Sequence, residues 1–340
     1  MTAPRAETRE SPPVVTPLEP LAPAPSGKAW QHRHVLDLDD FSVDEIELVL
    51  ETTQAMKEVL ARDVPRAPAL RGTTIVTLFY ESSTRTRSSF ELAGKVLGAD
   101  VINVTASGSS VEKGESLIDT VRTLRAIGAQ VLIMRHAMSG APYLAADHTD
   151  ARVINAGDGW HAHPTQGLLD LYTLRSHIGE LRGKRIVIVG DVAHSRVARS
   201  DIWGLTKMGA EVVVCGPPTL LPAELGRPVE GDGLPLVQVD TNFDRAICGA
   251  DAVMTLRLQQ ERMAGGLLPS LREYSRLYQV NEARMQKAKP GAPVLHPGPM
   301  NEGVEISAAL AHGTRSLIEE QVRNGVAVRM ALLYLMRGGR

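Results

Sequence analysis

Cysteine, long apolar runs and an excess of charge are scarce or absent in this chain of 340 residues, and each shortage excludes a class of protein. Cys215 and Cys248 lie in apolar sequence, which favours buried thiols in a reducing cytoplasm over a disulfide or a metal site. No apolar run is long enough to cross a bilayer, and the N-terminus lacks the apolar core of a secretory signal. A net charge of −2 argues against non-specific binding to nucleic acid or to membranes.

Two nucleotide-binding fingerprints are also absent. The apolar run Val187-Ile188-Val189 ends in Gly190-Asp191, as strands of nucleotide-binding sheets do, but no G-x-G-x-x-G follows it. The chain has no Walker A lysine either. A nucleotide-dependent oxidoreductase is therefore a remote alternative.

The remaining pattern alternates strands and helices over a length that predicts two domains. Residues 1–28 are rich in proline and should form a flexible extension. Ser42 and Glu45 form a capping box, which predicts a first helix over residues 43–60. Because strands alternate with helices, we expect an α/β fold of two domains, each a parallel β-sheet flanked by helices. The strands are predicted at residues 75–79, 101–104, 131–134, 153–155, 185–189, 211–215, 236–239, 252–255 and 294–295.

Two further helices have predicted positions. A helix over residues 165–178 should bridge the two domains, and the last helix, residues 316–336, is apolar along one stripe. That stripe favours a packing element over a site.

The strongest chemical signal is a polar turn between the first strand and the helix that follows it. Ser83, Thr84 and Thr86 bring hydroxyl groups to the helix N-terminus, and Arg85 brings a guanidinium fork that fits phosphate. The first N–H groups of a helix have no internal partner, and the helix dipole favours an anion there. Capping alone explains one or two hydroxyl residues, not four consecutive polar ones with a guanidinium. The turn therefore predicts a phosphate site.

A second signal lies where the bridging helix begins. His163 precedes the helix, and Gln166 falls in its first turn. His161 and His163 together could suggest a metal, but no accompanying cysteine or carboxylate pattern supports zinc. Neutral hydrogen bonding to a carbonyl and an amide, or a purely structural histidine, remain the alternatives.

Other polar residues follow predicted strands, at the edge where open parallel sheets bind ligands. Arg135 closes one strand of the first sheet, and Arg196 and Arg257, with Gln259, could together hold a dicarboxylate. Pro297 and Gly298 belong to a rigid turn that exposes a backbone carbonyl. Ser109 and Lys113 lie in a loop that is either part of a site or simply solvated.

Six of these motifs, in this order and spacing, resemble the aspartate and ornithine carbamoyltransferases. The resemblance extends from about residue 30 to the C-terminus. The motifs are Ser83-Thr84-Arg85-Thr86, Lys113-Gly114-Glu115, Met134-Arg135-His136, His163-Pro164-Thr165-Gln166, Arg257-Leu258-Gln259 and His296-Pro297-Gly298-Pro299.

The resemblance implies the transcarbamylase fold, with a carbamoyl-phosphate-binding domain over residues 29–162 and an aspartate-binding domain over residues 163–305. Residues 306–340 would pack back on the first domain. It also implies a cytoplasmic homotrimer with shared active sites and no metal or organic cofactor. Regulatory chains or other enzymes of pyrimidine biosynthesis are possible additional partners.

Residue roles follow from the same resemblance. Arg85, Thr86, Arg135, His163 and Lys113 would be catalytic, and Arg196, Arg257, Gln259 and Lys113 would bind aspartate. Ser109 and Lys113 would reach in from a neighbouring subunit. Carbamoyl phosphate would be bound by Ser83, Thr84, Arg85, Thr86, Ser109, Lys113, Arg135, His163, Gln166, Pro297 and Gly298.

The aspartate branch of the family fits better than the ornithine branch. Ornithine enzymes typically have a His-Cys-Leu-Pro turn and an Asp-x-x-x-Ser-Met-Gly segment; the turn differs here, and the segment is missing. Two arginines suit two carboxylates, whereas the side-chain amine of ornithine would require an acid. Val197, Glu302 and Glu112 depart from familiar members but leave the motifs intact. Transfer to another amine, or a catalytically silent subunit of this fold, are the alternatives.

Overall fold

A computed structural model describes residues 29–105, 114–226, 233–259 and 266–338. The proposed N-terminal extension, Ser109 and Lys113 lie outside these described residues. The model contains two fully parallel sheets with helices packed against them, which confirms the predicted fold class.

The first sheet has the strand order β2-β1-β3-β4. Its strands are β1 (Thr74–Phe79), β2 (Asp100–Thr105), β3 (Val131–His136) and β4 (Arg152–Asp158). The helices around it are α1 (Val43–Leu60), α2 (Thr84–Val96), α3 (Leu117–Ala126) and α4 (Ala141–Asp147). Because every pairing is parallel, the polar residues that follow β1 and β3 lie at the same edge of the sheet.

The capping box predicted for α1 is present. The Ser42 side chain accepts a hydrogen bond from the backbone N–H of Glu45, and the Glu45 carboxylate accepts one from the backbone N–H of Ser42. Both bonds satisfy N–H groups that the helix itself leaves unpaired. The helix therefore begins and ends where its sequence pattern predicts.

The second sheet has the order β7-β6-β5-β8-β9. Its strands are β5 (Arg185–Val189), β6 (Glu211–Cys215), β7 (Gln238–Asp240), β8 (Ala252–Thr255) and β9 (Val294–Leu295). Strand β7 begins two residues later than predicted, because Leu236 is exposed and makes no ladder pairing. The associated helices are α6 (Arg196–Lys207), α7 (Phe243–Ala246), α8 (Leu271–Tyr278), α9 (Glu282–Met285) and α10 (Ala308–Ala311).

Two helices join the halves of the molecule. Helix α5 (Pro164–Ile178) is buried continuously over its first three turns and packs against α1 and α6. Helix α11 (Ile318–Gly338) packs against α1, α2 and α5. Because α5 is buried on most sides, its sequence shows little contrast between a polar and an apolar face.

The cysteine prediction is half right. Cys215 is buried in β6, and burial raises the pKa of its thiol to about 12. Cys248 is exposed instead, and its thiol donates to the carbonyl oxygen of Asp244 at 3.2 Å. The prediction for Cys248 was wrong because this residue follows the end of the short helix α7, on the outer side of the chain.

Within the parts of the chain that the structure describes, no helix combines the length and the apolar character needed to cross a bilayer.

Candidate active site

A cavity of about 590 Å³ lies between the two sheets, where the carboxyl ends of their strands face each other. It contains every predicted site residue that the structure describes. These are Ser83, Thr84, Arg85, Thr86, Arg135, His163, Gln166, Arg196, Arg257, Gln259, Pro297 and Gly298. Residues more than 200 positions apart in sequence thus line one space.

The polar turn after β1 forms one wall of the cavity. Ser83 is the N-cap of α2, and its Oγ accepts a hydrogen bond from the backbone N–H of Thr86 at 3.3 Å. The Arg85 guanidinium lies directly against the backbone of Gly298, so that a Cβ at position 298 would overlap it. Gly298 also has φ of +64°, a conformation that other residues rarely adopt. A side chain at position 298 would therefore displace Arg85, the guanidinium of the polar turn at residues 83–86, which is called the phosphate turn below.

Two further guanidinium groups meet at one carboxylate that the sequence analysis did not assign. Glu81 Oε2 lies 3.1 Å from Arg135 Nε and accepts a hydrogen bond from Arg196 Nη2 at 2.6 Å. The Arg196 side chain is 5% exposed and that of Arg135 14% exposed. Because buried cations need a compensating anion, Glu81 allows both arginines to remain charged beside the cavity. The available signal was the position of Glu81 inside the polar turn.

Gly157 provides the space in which these two arginines approach each other. A Cβ there would come within 2.8 Å of Arg196 Nε and within 3.4 Å of Arg135 Nη1. Arg196 additionally donates to the carbonyl oxygen of Gly159 at 3.2 Å. The residues at and just after the end of β4 thus position the guanidinium of Arg196, which belongs to the second half of the chain.

His163 is buried at the start of α5, beside these cations. Burial, followed by the charges of Arg135, Arg196 and Arg329, lowers the pKa of His163 well below 6.5. The imidazole is therefore neutral near pH 7 and carries one N–H donor. Its backbone N–H donates to Ser200 Oγ at 2.9 Å, which links the two halves of the molecule.

The neighbouring His161 serves a different purpose. Its Nδ1 lies 3.2 Å from Asp158 and its Nε2 lies 3.6 Å from Asp37, and it does not line the cavity. Among the described residues there is no group of three or more potential metal ligands. The two histidines therefore do not converge on a common point.

The far wall is formed by the turn after β9. His296 Nδ1 accepts from the backbone N–H of Gly298 at 2.7 Å, and its Nε2 lies 3.2 Å from a buried Glu305 oxygen. Glu305 also accepts from the backbone N–H of Asn301 at 2.6 Å. These bonds hold the turn in one conformation and so orient the backbone of Pro297 at the cavity.

Helix α11 contributes to the cavity as well as packing against it, contrary to the sequence prediction. It supplies Ile318, Gln321, Val322 and Arg329. The Arg329 side chain is buried and lies over the ring of Phe90 at 5.1 Å, and burial lowers its pKa to about 10. The sequence signal for this contribution was Arg329 itself, an arginine flanked by apolar residues in the middle of the long helix.

Family models match almost the whole of the described chain. Residues 33–176 match the carbamoyl-phosphate-binding domain of aspartate/ornithine carbamoyltransferase. Residues 182–336 match the aspartate/ornithine-binding domain of the same family.

Curated relatives are similar over nearly their full lengths. The aspartate carbamoyltransferase catalytic subunit of Roseiflexus sp. (strain RS-1) is 60% identical over 318 residues, which cover 93% of this chain and 99% of the relative. The subunit of the same name from Dehalococcoides mccartyi (strain CBDB1) is 55% identical over 313 residues, covering 92% of this chain and 94% of the relative.

Solved structures share the fold. Aspartate transcarbamoylase from Trypanosoma cruzi, in complex with carbamoyl phosphate and aspartate, is 30% identical with a TM-score of 0.78, covering 89% of this chain and 95% of that one. Ornithine carbamoyltransferase from Pyrococcus furiosus is 27% identical with a TM-score of 0.80, covering 92% and 99%.

Proposed function

Because the chain belongs to the aspartate/ornithine carbamoyltransferase family, we propose that it transfers the carbamoyl group of carbamoyl phosphate to the α-amine of L-aspartate. The products are N-carbamoyl-L-aspartate and phosphate, in a step of pyrimidine biosynthesis. The observation that carries the proposal is the convergence of the phosphate turn, His163, Gln166 and the arginines of the second half on one cavity. The aspartate specificity of relatives at 55–60% identity supports the choice of amine.

The phosphate of the donor would bind at the N-terminus of α2. Ser83, Thr84, Arg85 and Thr86 provide hydroxyl, backbone and guanidinium donors there. Hydrogen bonds to a charged group contribute about 1.5–3 kcal/mol each, whereas the helix dipole contributes only about 0.3–1 kcal/mol. The side-chain donors therefore supply most of the affinity, and we assign Arg85 the largest share.

The carbamoyl group of carbamoyl phosphate would lie beyond this turn, between the start of α5 and the turn after β9. Thr86, Arg135 and His163 would donate to the carbonyl oxygen, and the neutrality of His163 makes it a donor without an added charge. Gln166 and the backbone carbonyl of Pro297 would accept from the carbamoyl amide.

Aspartate would bind against the second half of the chain. Arg196, Arg257 and Gln259 line that side of the cavity and match two carboxylates in charge. The bonds of Arg196 to Glu81 and to the carbonyl oxygen of Gly159 fix the position of its guanidinium beside the cavity.

The reaction needs orientation and charge stabilisation more than chemical activation. The neutral α-amine attacks the carbonyl carbon, which forms the N–C bond and converts the carbonyl oxygen to an oxyanion. Collapse breaks the bond between that carbon and the bridging phosphate oxygen, and the departing phosphate takes the electron pair and the amine proton. Orientation of two bound reactants contributes about 7–11 kcal/mol, and each oxyanion donor contributes about 10²–10³ in rate.

The test is a comparison of two amines on the purified protein. We expect carbamoyl transfer from carbamoyl phosphate to L-aspartate, measured as product formation, and no transfer to L-ornithine. Transfer to ornithine alone would assign the chain to the other branch. Absence of transfer to either amine, with folded protein that still binds carbamoyl phosphate, would indicate a catalytically silent subunit.

We also propose a cytoplasmic homotrimer in which Ser109 and Lys113 of one subunit complete the site of its neighbour. Both residues lie outside the described residues, and their role rests on the family resemblance. The exposed apolar side chain of Ile102, on the edge strand β2 of the first sheet, supports association there. Two cysteines without a disulfide support a reducing compartment.

A further inference from the structure

Asp170, which no step of the proposed reaction uses, lies at the centre of a buried hydrogen-bond network behind the cavity. It belongs to α5 and is 1% exposed. The side-chain amide nitrogen of Gln166 donates to both of its carboxyl oxygens, at 3.1 and 3.2 Å. The side-chain amide nitrogen of Gln321, from α11, donates to Oδ1 at 2.7 Å. One carboxylate therefore accepts from two glutamines on two helices.

The chemistry of a carboxylate determines which way each glutamine amide faces. An ionised carboxylate accepts hydrogen bonds and donates none, so each NH₂ group must face Asp170. Gln166 lines the cavity, and its carbonyl oxygen is consequently the amide atom left for a ligand. The carbonyl oxygen of Gln321 accepts from the backbone N–H of His296 at 3.0 Å.

This second glutamine connects Asp170 to the turn that carries Pro297. His296 begins that turn, and its own ring accepts from the backbone N–H of Gly298. Asp170 thus orients Gln166 directly and supports the backbone of Pro297 through Gln321 and His296. These are the two acceptors assigned to the carbamoyl amide.

Asp170 and the neighbouring Asp201 differ in what acts against the effect of burial on them. Burial raises the pKa of Asp170 to about 7, and the bonds from the two glutamines act against that rise. Burial and the charge of Asp170 both raise the pKa of Asp201, well above its ordinary value. Among the described residues no N–H group donates to the Asp201 oxygens, whereas Asp170 accepts from two amides and faces the Arg329 charge. Of the two carboxyl groups, Asp201 therefore holds its proton more firmly, and Asp170 is the one that carries the negative charge when the pair ionises.

We propose that Asp170 is a positioning residue that makes the site selective for a carbamoyl group, by presenting the Gln166 carbonyl oxygen and the Pro297 carbonyl to the carbamoyl NH₂. This proposal rests on the proposed function. Its signature is selective: the hydrogen bonds of Asp170 among the described residues come from Gln166 and Gln321 and not from the phosphate turn, so its loss should affect the carbamoyl end of the donor and not the phosphate end.

The experiment compares carbamoyl phosphate, acetyl phosphate and inorganic phosphate as ligands of the full chain, by titration calorimetry. Acetyl phosphate has a methyl group where carbamoyl phosphate has NH₂. We expect Asp170→Ala to weaken carbamoyl phosphate binding by about tenfold or more, the effect of losing hydrogen bonds to one polar group. Binding of acetyl phosphate and of inorganic phosphate should stay within about twofold of the wild type.

Asp201→Asn is the matched control. It leaves Asp170 and its bonds to Gln166 and Gln321 in place, and its amide is uncharged as a protonated carboxyl is, so it should retain the wild-type preference for carbamoyl phosphate over acetyl phosphate. If Asp170→Ala does not fold, as judged by thermal unfolding, the same three ligands are compared with Asp170→Asn. Its single carbonyl oxygen cannot replace both carboxylate oxygens, so the preference should still fall.

A folded Asp170 variant that keeps the wild-type preference would overturn the proposal, as would an equal loss for all three ligands. The proposed function is tested separately, by whether the wild-type protein binds carbamoyl phosphate at all.

Discussion

At the scale of single residues, the candidate site concentrates positive charge in a molecule whose net charge is only −2. Arg85, Arg135, Arg196, Arg257 and Arg329 line one cavity, and among its described lining residues only Glu81 is acidic. A cluster of charges of one sign within a low-dielectric cleft concentrates the electric field on a bound ligand. This local imbalance suits a phosphate donor and a dicarboxylate acceptor together.

Arg85→Ala should nearly abolish carbamoyl transfer. The variant loses the guanidinium of the phosphate turn, and we expect kcat/KM to fall by about 10²–10³-fold. Steady-state kinetics with carbamoyl phosphate as the varied substrate measures this. Arg87→Ala, two positions further along α2 and outside the cavity lining, is the control and should remain close to wild type. Near-normal kcat/KM for Arg85→Ala would contradict the phosphate assignment.

Asp201→Asn should make the fold more resistant to rising pH. Burial beside Asp170 raises the pKa of Asp201 well above its ordinary value of 3.8, so the native state holds a proton that the unfolded chain has released. Unfolding then releases a proton, and a higher pH favours the unfolded state.

The wild type should therefore lose stability relative to Asp201→Asn as the pH rises from about 4 to about 7, by up to about 1.4 kcal/mol per pH unit. Chemical denaturation at several pH values measures the difference in the free energy of unfolding. Parallel curves for the two proteins would show that Asp201 titrates normally.

At the scale of elements, three helix N-termini point towards the cavity. Helices α2, α5 and α6 begin at Thr84, Pro164 and Arg196, and residues at each of these starts line it. Parallel sheets produce this arrangement, because every strand delivers the chain to the same edge before the next helix begins. The unpaired N–H groups and helix dipoles add to the field of the arginines.

Strand positions followed directly from apolar runs, but the function of α11 did not. A helix that packs against three others reads as a core element, and its sequence does not reveal which neighbour covers Arg329 or Gln321. The described contacts with α1, α2 and α5 leave one end of the helix facing the cavity. Which end of α11 reaches the cavity depends on the angles at which it packs against its neighbours, and the apolar periodicity of its sequence does not specify those angles.

Ser42→Ala should destabilise the protein through the N-terminus of α1. The change removes one bond of the capping box and weakens the other, at a cost of about 1 kcal/mol in the free energy of unfolding. Urea denaturation followed by circular dichroism measures it. Val43→Ala, at the exposed first position of the same helix, should show no comparable loss, and equal effects of the two changes would contradict the capping assignment.

At the scale of the whole molecule, the cavity exists only between two α/β units and the helices that join them. The first unit contributes the phosphate turn and Arg135, the second contributes Arg196, Arg257 and the turn after β9. Neither unit alone supplies all of these residues, so the relative placement of the two units determines whether the cavity forms.

The proposed sharing of sites between subunits has a direct test. Lys113→Ala and His163→Ala chains should each be inactive alone, and mixed trimers should recover activity because one subunit's intact loop lysine meets another's intact His163. Activity after dissociation and reassembly, with mixed trimers verified by mass, measures this. Verified mixed trimers without activity would argue that each subunit builds its site alone.

The sequence by itself determined the α/β class, the phosphate turn and the set of polar residues at strand ends, because these depend on local periodicity and on the order of elements. Only the tertiary structure decided that Glu81 pairs with Arg135 and Arg196, that α11 reaches the cavity, and that Asp170 accepts hydrogen bonds from Gln166 and Gln321. Contacts such as Gln321 with Asp170 join residues 151 positions apart, and they arise from how buried helices dock. Local sequence specifies what a residue can donate or accept, whereas packing specifies which partner it meets.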